Sequence, residues 1–573
     1  MVTNSYIIET LELTAKLMEL HNADEFKIRA YTNAVFYLDK YTGDLAVLDF
    51  SQLTQIQGVG KMMAGKIVEI VSSGTLRELQ ELLTTTPEGV IDMFRIKGIG
   101  VKKIKVLWKE LGIDNINDLQ IACENGTIGK VKGFGGKTQE AILASIAFLN
   151  SQAGKLRMDK AQALAEVIQE DLQKYYAKVE ISGQVRRKNE VVDSLLFLVS
   201  NTEPQTGGFF AALPESFVEN AKASSPFTWR GSYLDNKIDL EIKWVPQNQF
   251  LHKQFVYSAD ANHLKHKNEK GQTLLKLSKT DGLNNEEEIY EKYGIPYIIP
   301  EMREGDFEFD WIQKRKNEDL VTWDSLKGIV HNHSTYSDGR HSLEQMATYC
   351  QELGFEYLGI ADHSQSAQYA SGLLITKVQQ QHAEIEQLNK KLNAAGGKPF
   401  KILKGIESDI LSDGSLDYPD EVLASFDYIV ASVHSNLTMT EPRATERLIR
   451  AIENPYTTIL GHPTGRLLLS RQGYPIDYKA IIDCCAENGV IMEINASPYR
   501  LDLDWRWIQY CIEKGVMLSI NPDAHEMEGY HDMHYGVAVA RKGGLTTDMT
   551  FNALSLVEME AFLAKRRSRA LVG

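Results

Sequence analysis

No run of about 18–20 uncharged apolar residues occurs in the chain, so a membrane-spanning helix is excluded. Cysteine is scarce. The five (Cys123, Cys350, Cys484, Cys485, Cys511) have neither paired nor metal-type spacing, which removes a disulfide framework and a thiolate metal site. Buried thiols in a reducing cytoplasm are the expectation. A basic excess is missing too: the net charge of −15 excludes a surface coated for polyanions, but leaves local basic patches open. The N-terminal stretch has apolar residues at helical spacing, yet carries Glu9, Glu12 and Glu19, which a secretory signal core would not tolerate.

Histidine is present, and unevenly: ten of the 14 lie after residue 330. At 573 residues the chain exceeds one core, and roughly three or four domains are expected. Residues 1–150 read as helical, broken by the turns Gly58-Val59-Gly60, Gly98-Ile99-Gly100 and Gly133-Phe134-Gly135. Each has an apolar residue just upstream (Ile56, Ile96, Val131) and precedes a helical pattern, an internal repeat of a helix–turn–helix unit. Residues 151–305 change to an α+β pattern, with a helix over 158–176, strands over 178–182, 194–199 and 237–245, and helix again near 286–293. Residues 306–327, charged and aromatic, read as a linker. From 328 to 573, seven apolar runs end in polar residues at intervals near the ~30 residues of a strand–helix–strand unit. Seven such units predict a closed or nearly closed β/α barrel.

In such barrels the active site lies at the C-terminal strand ends. Those ends carry His331, His333 and Asp338, then His363, Glu407, His434 and His462, and finally Asp523 and His525. Imidazole with carboxylate suits Zn, Mn or Fe, and a bridging carboxylate can hold a cation pair that activates water and clamps phosphoryl oxygens. One strand-end histidine is ordinarily a satisfied polar residue; nine ligand-type residues at one barrel mouth are not explained that way. His341, His531 and His534 lack that context and stay outside the set.

The run His331-Asn332-His333-Ser334-Thr335-Tyr336-Ser337-Asp338-Gly339 resembles the opening motif of the PHP (polymerase and histidinol phosphatase) superfamily. Ala361-Asp362-His363-Ser364, Gly405-Ile406-Glu407, Ser432-Val433-His434-Ser435, Gly461-His462-Pro463 and Asp523-Ala524-His525 resemble its later motifs in order. The resemblance implies three divalent cations: His331, His333, Glu407 and Asp523 on one, Glu407, His434 and His462 on a second, and Asp338, His363 and His525 on the third. Glu407 then bridges, and Glu407, Asp523 and His434 are the residues assigned to catalysis. Arg466 and Arg500 resemble phosphate-contacting positions of PHP domains fused to family X DNA polymerases, and a guanidinium fork suits phosphate.

The glycine turns fit helix–hairpin–helix motifs, in which a helix N-terminus meets a DNA phosphate without reading sequence. Gly58, Gly60, Gly98, Gly100, Gly133 and Gly135 with Lys66, Lys102 and Lys103 are the expected DNA contacts, with Lys61, Lys97, Lys132 and Lys137 nearby. Phe26 to Tyr31 and Ile56 to Gly60 resemble the lyase domain of family X polymerases, and Lys66 falls where some members carry a Schiff-base lysine. Residues 1–85 would be that lyase-like domain and 86–150 a further fingers-like repeat. Gly183-Gln184-Val185-Arg186-Arg187 resembles the family's nucleotide-binding motif, and Asp239 its third aspartate. Ser194 and Leu196 stand where the family has its paired aspartates, and neither serves a two-cation polymerase site. The middle segment therefore resembles a degenerate palm and thumb, with Arg187 and Asp239 as remnants and Mg²⁺ the cation for any activity left.

Together the resemblance is to bacterial family X DNA polymerases with a C-terminal PHP domain. It implies a monomeric cytoplasmic repair enzyme, nucleoid-associated at work, acting on gapped, nicked or 3′-ended DNA as a 3′–5′ exonuclease, 3′-phosphatase or apurinic-site nuclease. A gap-filling polymerase, a histidinol-phosphatase-type small-molecule phosphatase and a non-enzymatic DNA scaffold are the competing readings.

Overall fold

Short apolar runs, each followed by an amphipathic helix, form buried parallel strands. In the computed structural model seven do so: β1 Gly328–Ile329, β2 Tyr357–Ile360, β3 Lys401–Asp409, β4 Tyr428–Ser432, β5 Ile459–Leu460, β6 Ile491–Asn495 and β7 Leu518–Asn521. They pair in sequence order, all parallel. The ring nearly closes where the His333 amide donates to the Ala524 carbonyl at 2.9 Å. Strands β2, β4 and β6 are buried throughout, because helices cover the sheet outside and side chains fill it inside. The structure describes residues 2–41, 43–96, 98–201, 210, 213–394 and 398–570, so Lys97 lies outside the described residues.

The chain divides into two units, Met1–Ala153 and Gly154–Gly573. The first is helical, from Asn4–Leu20 to Gly136–Gln152, around one apolar core. The second joins the barrel to a five-stranded mixed sheet in the order Lys178–Ser182, Ser194–Ser200, Asp239–Trp244, Thr228–Tyr233, Phe217–Glu219. The last two were not expected from sequence; Thr228–Tyr233 alternates weakly and its edge partner has three residues. The helix Met158–Leu172 buries Ala161, Ala165, Ile168 and Leu172 against this sheet, an i, i+4, i+7, i+11 stripe.

The expected linker over 306–327 is corrected by the structure. It contains the helix Glu308–Lys314, which buries Phe309, Trp311 and Ile312. Trp311 Nε1 donates to the Gly544 carbonyl at 2.9 Å, and the Val321 amide to Leu545 at 3.1 Å. Its aromatic residues are the apolar face of a strap on the barrel. Among the described residues, no helix is long and apolar enough to cross a membrane. All five cysteines are free and buried.

Candidate metal centre

The strands bring all nine expected residues to one mouth, with Glu407, near the C-terminal end of β3, at the centre. Its Oε1 lies 3.0 Å from His462 Nε2, 3.1 Å from His434 Nε2 and 3.3 Å from His331 Nε2; its Oε2 lies 2.9 Å from His363 Nδ1 and 3.7 Å from His333 Nε2. Asp523 Oδ1 is 2.9 Å from His333 Nε2, and Asp338 Oδ1 is 3.5 Å from His525 Nε2. Three groups could each hold a cation: His331, His333 and Asp523; His363, Glu407 and His434; and His333, Asp338, His363 and His525. These overlap the partition implied by the resemblance without reproducing it: His363 also joins Glu407 and His434, while His462, 3.0 Å from Glu407, falls in none of the three groups.

Cations fit these residues. His331 Nε2, His363 Nδ1 and Glu407 Oε2, all facing the centre, are buried with no hydrogen bond of good geometry, a costly state for polar atoms unless something else binds them. His331, His462 and Asp523 also hold positive φ (66°, 23° and 53°), a strained backbone for non-glycine residues that concentrates at functional sites. Desolvation would raise the Glu407 carboxyl, yet His434, His331 and His363 hold it well below the usual carboxylate range. Burial would lower His434, but Glu407 and Asp409 carry it up to about 10. His333, desolvated and next to His525 and His363, is pushed down to about 3. The carboxylates thus draw positive charge onto rings such as His434, charge that a bound cation would supply instead, since neutral rings are the form that binds metal.

Sequence reasoning missed the carboxylates behind the ligands. Glu493, fully buried in β6, meets His331 Nδ1 at 2.5 Å and accepts from Asn521 Nδ2 at 2.8 Å and the His462 amide at 2.6 Å. Asp409 takes His434 Nδ1, and the Asp523 carbonyl takes His525 Nδ1. In all three rings Nδ1 is anchored and Nε2 faces the centre, which fixes the metal-binding tautomer. A carboxylate amid the apolar run Val490 to Ile494 was the available signal for Glu493. Asp362 accepts from the Ser334 amide and hydroxyl, Ser337 and Gln381 Nε2, and so locks the loop carrying Asp338.

The expectation for Arg466 is corrected: its guanidinium is spent on the Arg500 and Leu501 carbonyls and on Asp504, so it braces that loop. Arg500 keeps a buried, unpartnered Nη1, with Nε 3.6 Å from Asp523 Oδ2. His341 accepts from the Met527 amide, and His531 and His534 stack on Trp323; none joins the cluster.

In the helical unit the three turns share one geometry. Gly58, Gly98 and Gly133 have φ of 79°, 90° and 95°. Val59, Ile99 and Phe134 are buried between exposed glycines. Gly60, Gly100 and Gly135 cap the next helix with no side-chain bond, leaving its amides open. At Gly58 an added Cβ would come within 2.1 Å of the Tyr37 ring. Lys103 Nζ folds onto the Gly98 carbonyl at 3.0 Å, whereas Lys102 is exposed. Lys66 is paired with Glu78 at 3.2 Å, so in this structure it faces a carboxylate rather than open solvent.

The palm-like sheet sets Ser194 opposite Asp239 and Leu196 opposite Glu241, all on one face. Glu241 is held by Arg230 at 2.5 Å and Lys243 at 3.1 Å. Arg186 pairs with Glu286 at 2.7 Å and Arg187 with Glu304 at 2.9 Å. Lys542 from the barrel, 1% exposed at its side chain, enters the same cradle, contacting the Arg187 and Glu301 carbonyls, Asn189 and Glu304. The two retained arginines are thus neutralised by internal carboxylates.

Comparison with known proteins places family models along the chain: a helix-hairpin-helix domain over residues 2–76, a SAM-like helix-hairpin-helix tandem over 90–147, and a PHP domain over 330–497. A "DNA polymerase/3'-5' exonuclease PolX" of Bacillus subtilis (strain 168) is 34% identical over 98% of this chain and 99% of that protein. A "Probable phosphatase" of Thermoanaerobacter sp. (strain X514) is 26% identical over 39% of this chain and 89% of its own length. Another, of Caldanaerobacter subterraneus subsp. tengcongensis, is 37% identical over 30% of this chain and 68% of its own length.

Proposed function

The chain belongs to the family of the PolX DNA polymerase/3′–5′ exonucleases, and on that footing we propose that it is a DNA-directed, metal-dependent phosphoesterase of DNA repair, working as a monomer in the cytoplasm. The observation that carries this reading is the convergence of six imidazoles with Asp338, Glu407 and Asp523 at one mouth, with buried ligand-type atoms left unpartnered. His331, His333, Glu407 and Asp523 would hold one divalent cation, Glu407, His434 and His462 a second, and Asp338, His363 and His525 a third, as Zn, Mn or Fe. Cations so held lower the pKa of water and stabilise phosphoryl oxygens. Glu493 and Asp409 keep the rings aimed, and Arg500 is placed to take a phosphoryl oxygen. The helix–hairpin–helix turns grip the duplex, which a small phosphomonoester would not require. Digestion of end-labelled gapped DNA, with Mn²⁺ and after chelation, tests the reading; release of 3′ nucleotides or phosphate only with metal is expected, and no cleavage in either case would overturn it.

The PolX relative's name also includes polymerase activity, and this chain keeps Arg187 and Asp239. With Ser194 and Leu196 on the catalytic face and both arginines paired internally, no primer extension is expected with Mg²⁺ or Mn²⁺. A gapped template with all four nucleotides checks this; extension that Asp239→Ala abolishes would refute it.

Replacing Lys102 and Lys103 with Ala should weaken DNA binding equally for all sequences and reduce the log–log salt slope by roughly 2, one for each phosphate contact. Fluorescence anisotropy across a salt series reads both; an unchanged slope would remove the second turn from the DNA interface.

A further inference from the structure

Two tyrosines at the rim of the barrel mouth have no part in holding cations. Tyr369, in the loop after β2, is 72% exposed, and its ring centroid lies 6.1 Å from that of His363. Tyr499, in the loop after β6, is 54% exposed and directly precedes Arg500, which reaches Asp523. Strands β2 and β6 are second and sixth in a ring of seven, so the loops rise from different sides of the mouth. His363, beside Tyr369, stacks on His333 with ring centroids 4.3 Å apart, and His333 Nε2 lies 2.9 Å from Asp523, the carboxylate beside Arg500, so the two loops border the same cluster. The Arg157 guanidinium sits 3.6 Å from the Tyr499 ring centroid and is itself held by Asp159 at 3.2 Å. One face of Tyr499 is thereby backed by the palm-like domain while the ring stays half open to solvent, a pre-oriented stacking surface.

We propose that Tyr369 and Tyr499 form a stacking lip for the base of the terminal nucleotide, so that this centre cleaves a base-bearing end in preference to an abasic one. Arg157 acts through Tyr499 as a positioning residue. The inference rests on the reading of the barrel as a DNA phosphoesterase. Every base offers a π-face, so the lip selects nucleotides without selecting sequence, and stacking of one base on one aromatic changes affinity by roughly 5–150-fold.

The test uses the full-length Mn²⁺-loaded protein and 5′-labelled single-stranded oligonucleotides ending in either a normal nucleotide or an abasic tetrahydrofuran residue. Wild-type kcat/KM for the first cleavage should favour the base-bearing end by about tenfold or more, following that stacking range. The pair Tyr369→Ala, Tyr499→Ala should erase the preference by raising KM on the base-bearing end only, with the abasic rate and metal content unchanged. Arg157→Ala should lower the preference with both tyrosines intact, which general loosening of the fold would not do, since that would slow both substrates. Equal wild-type rates on the two ends, or a preference surviving in the double variant, would overturn the lip. If wild type cleaves neither oligonucleotide, the DNA reading of the barrel fails first and the lip with it.

Discussion

Glu407→Ala will have no measurable phosphoester hydrolysis and fewer metal ions per chain than wild type. The Glu407 side chain lies within 3.7 Å of five of the six clustered histidines, His331, His333, His363, His434 and His462. Its loss removes the shared carboxylate of two proposed cations together, so the mechanism disappears rather than weakening. Removing one partner from a buried charged set also costs about 3–5 kcal/mol, because the others are left uncompensated. Glu407→Gln, which keeps the volume, is therefore measured alongside, with a thermal melt to separate lost chemistry from lost folding. DNA binding should persist in both, because the helical unit Met1–Ala153 has its own core. His531→Ala is the control: exposed, stacked on Trp323 and outside the cluster, it should keep near-wild-type rates. Elemental analysis and exonuclease assays decide the matter; near-normal hydrolysis by Glu407→Gln with full metal content would refute the centre as assigned.

Glu493→Gln is expected to lower metal affinity or hydrolysis by roughly 10–100-fold, the range seen when a carboxylate behind a histidine ligand is removed. Glu493 receives only donors: His331 Nδ1 and Asn521 Nδ2 on one oxygen, the His462 amide and Asn495 Nδ2 on the other. A glutamine amide would set N–H against N–H at one end and leave buried donors unmade. It would also stop fixing the His331 tautomer whose Nε2 faces Glu407. Metal titration of apoprotein, followed by activity at saturating metal, separates the two effects. Unchanged metal affinity and unchanged rate together would show that Glu493 only fills space.

What the sequence determined by itself is what local periodicity and residue chemistry encode. Seven apolar runs at strand–helix spacing predict the barrel, because each unit buries its own strand and helix faces within some 30 residues. The ligand-type residues could be placed because barrel strands end at a common mouth. The three glycine turns were legible because only glycine takes their positive φ without strain. Tertiary structure decided everything that depends on a partner distant in the chain. His331 and Glu493, 162 positions apart, meet in one hydrogen bond only when the ring of strands curls round. Arg466, legible as a phosphate fork, is consumed by carbonyls that the 500–504 loop brings to it. The aromatic residues of 306–327 found a barrel surface to cover, and Arg157 found Tyr499, 342 positions away. Sequence spacing fixes which strand end a side chain occupies, whereas the charge or ring beside it is set by closure of the barrel and docking of the palm-like sheet, where burial strengthens each contact and makes each missing one costly.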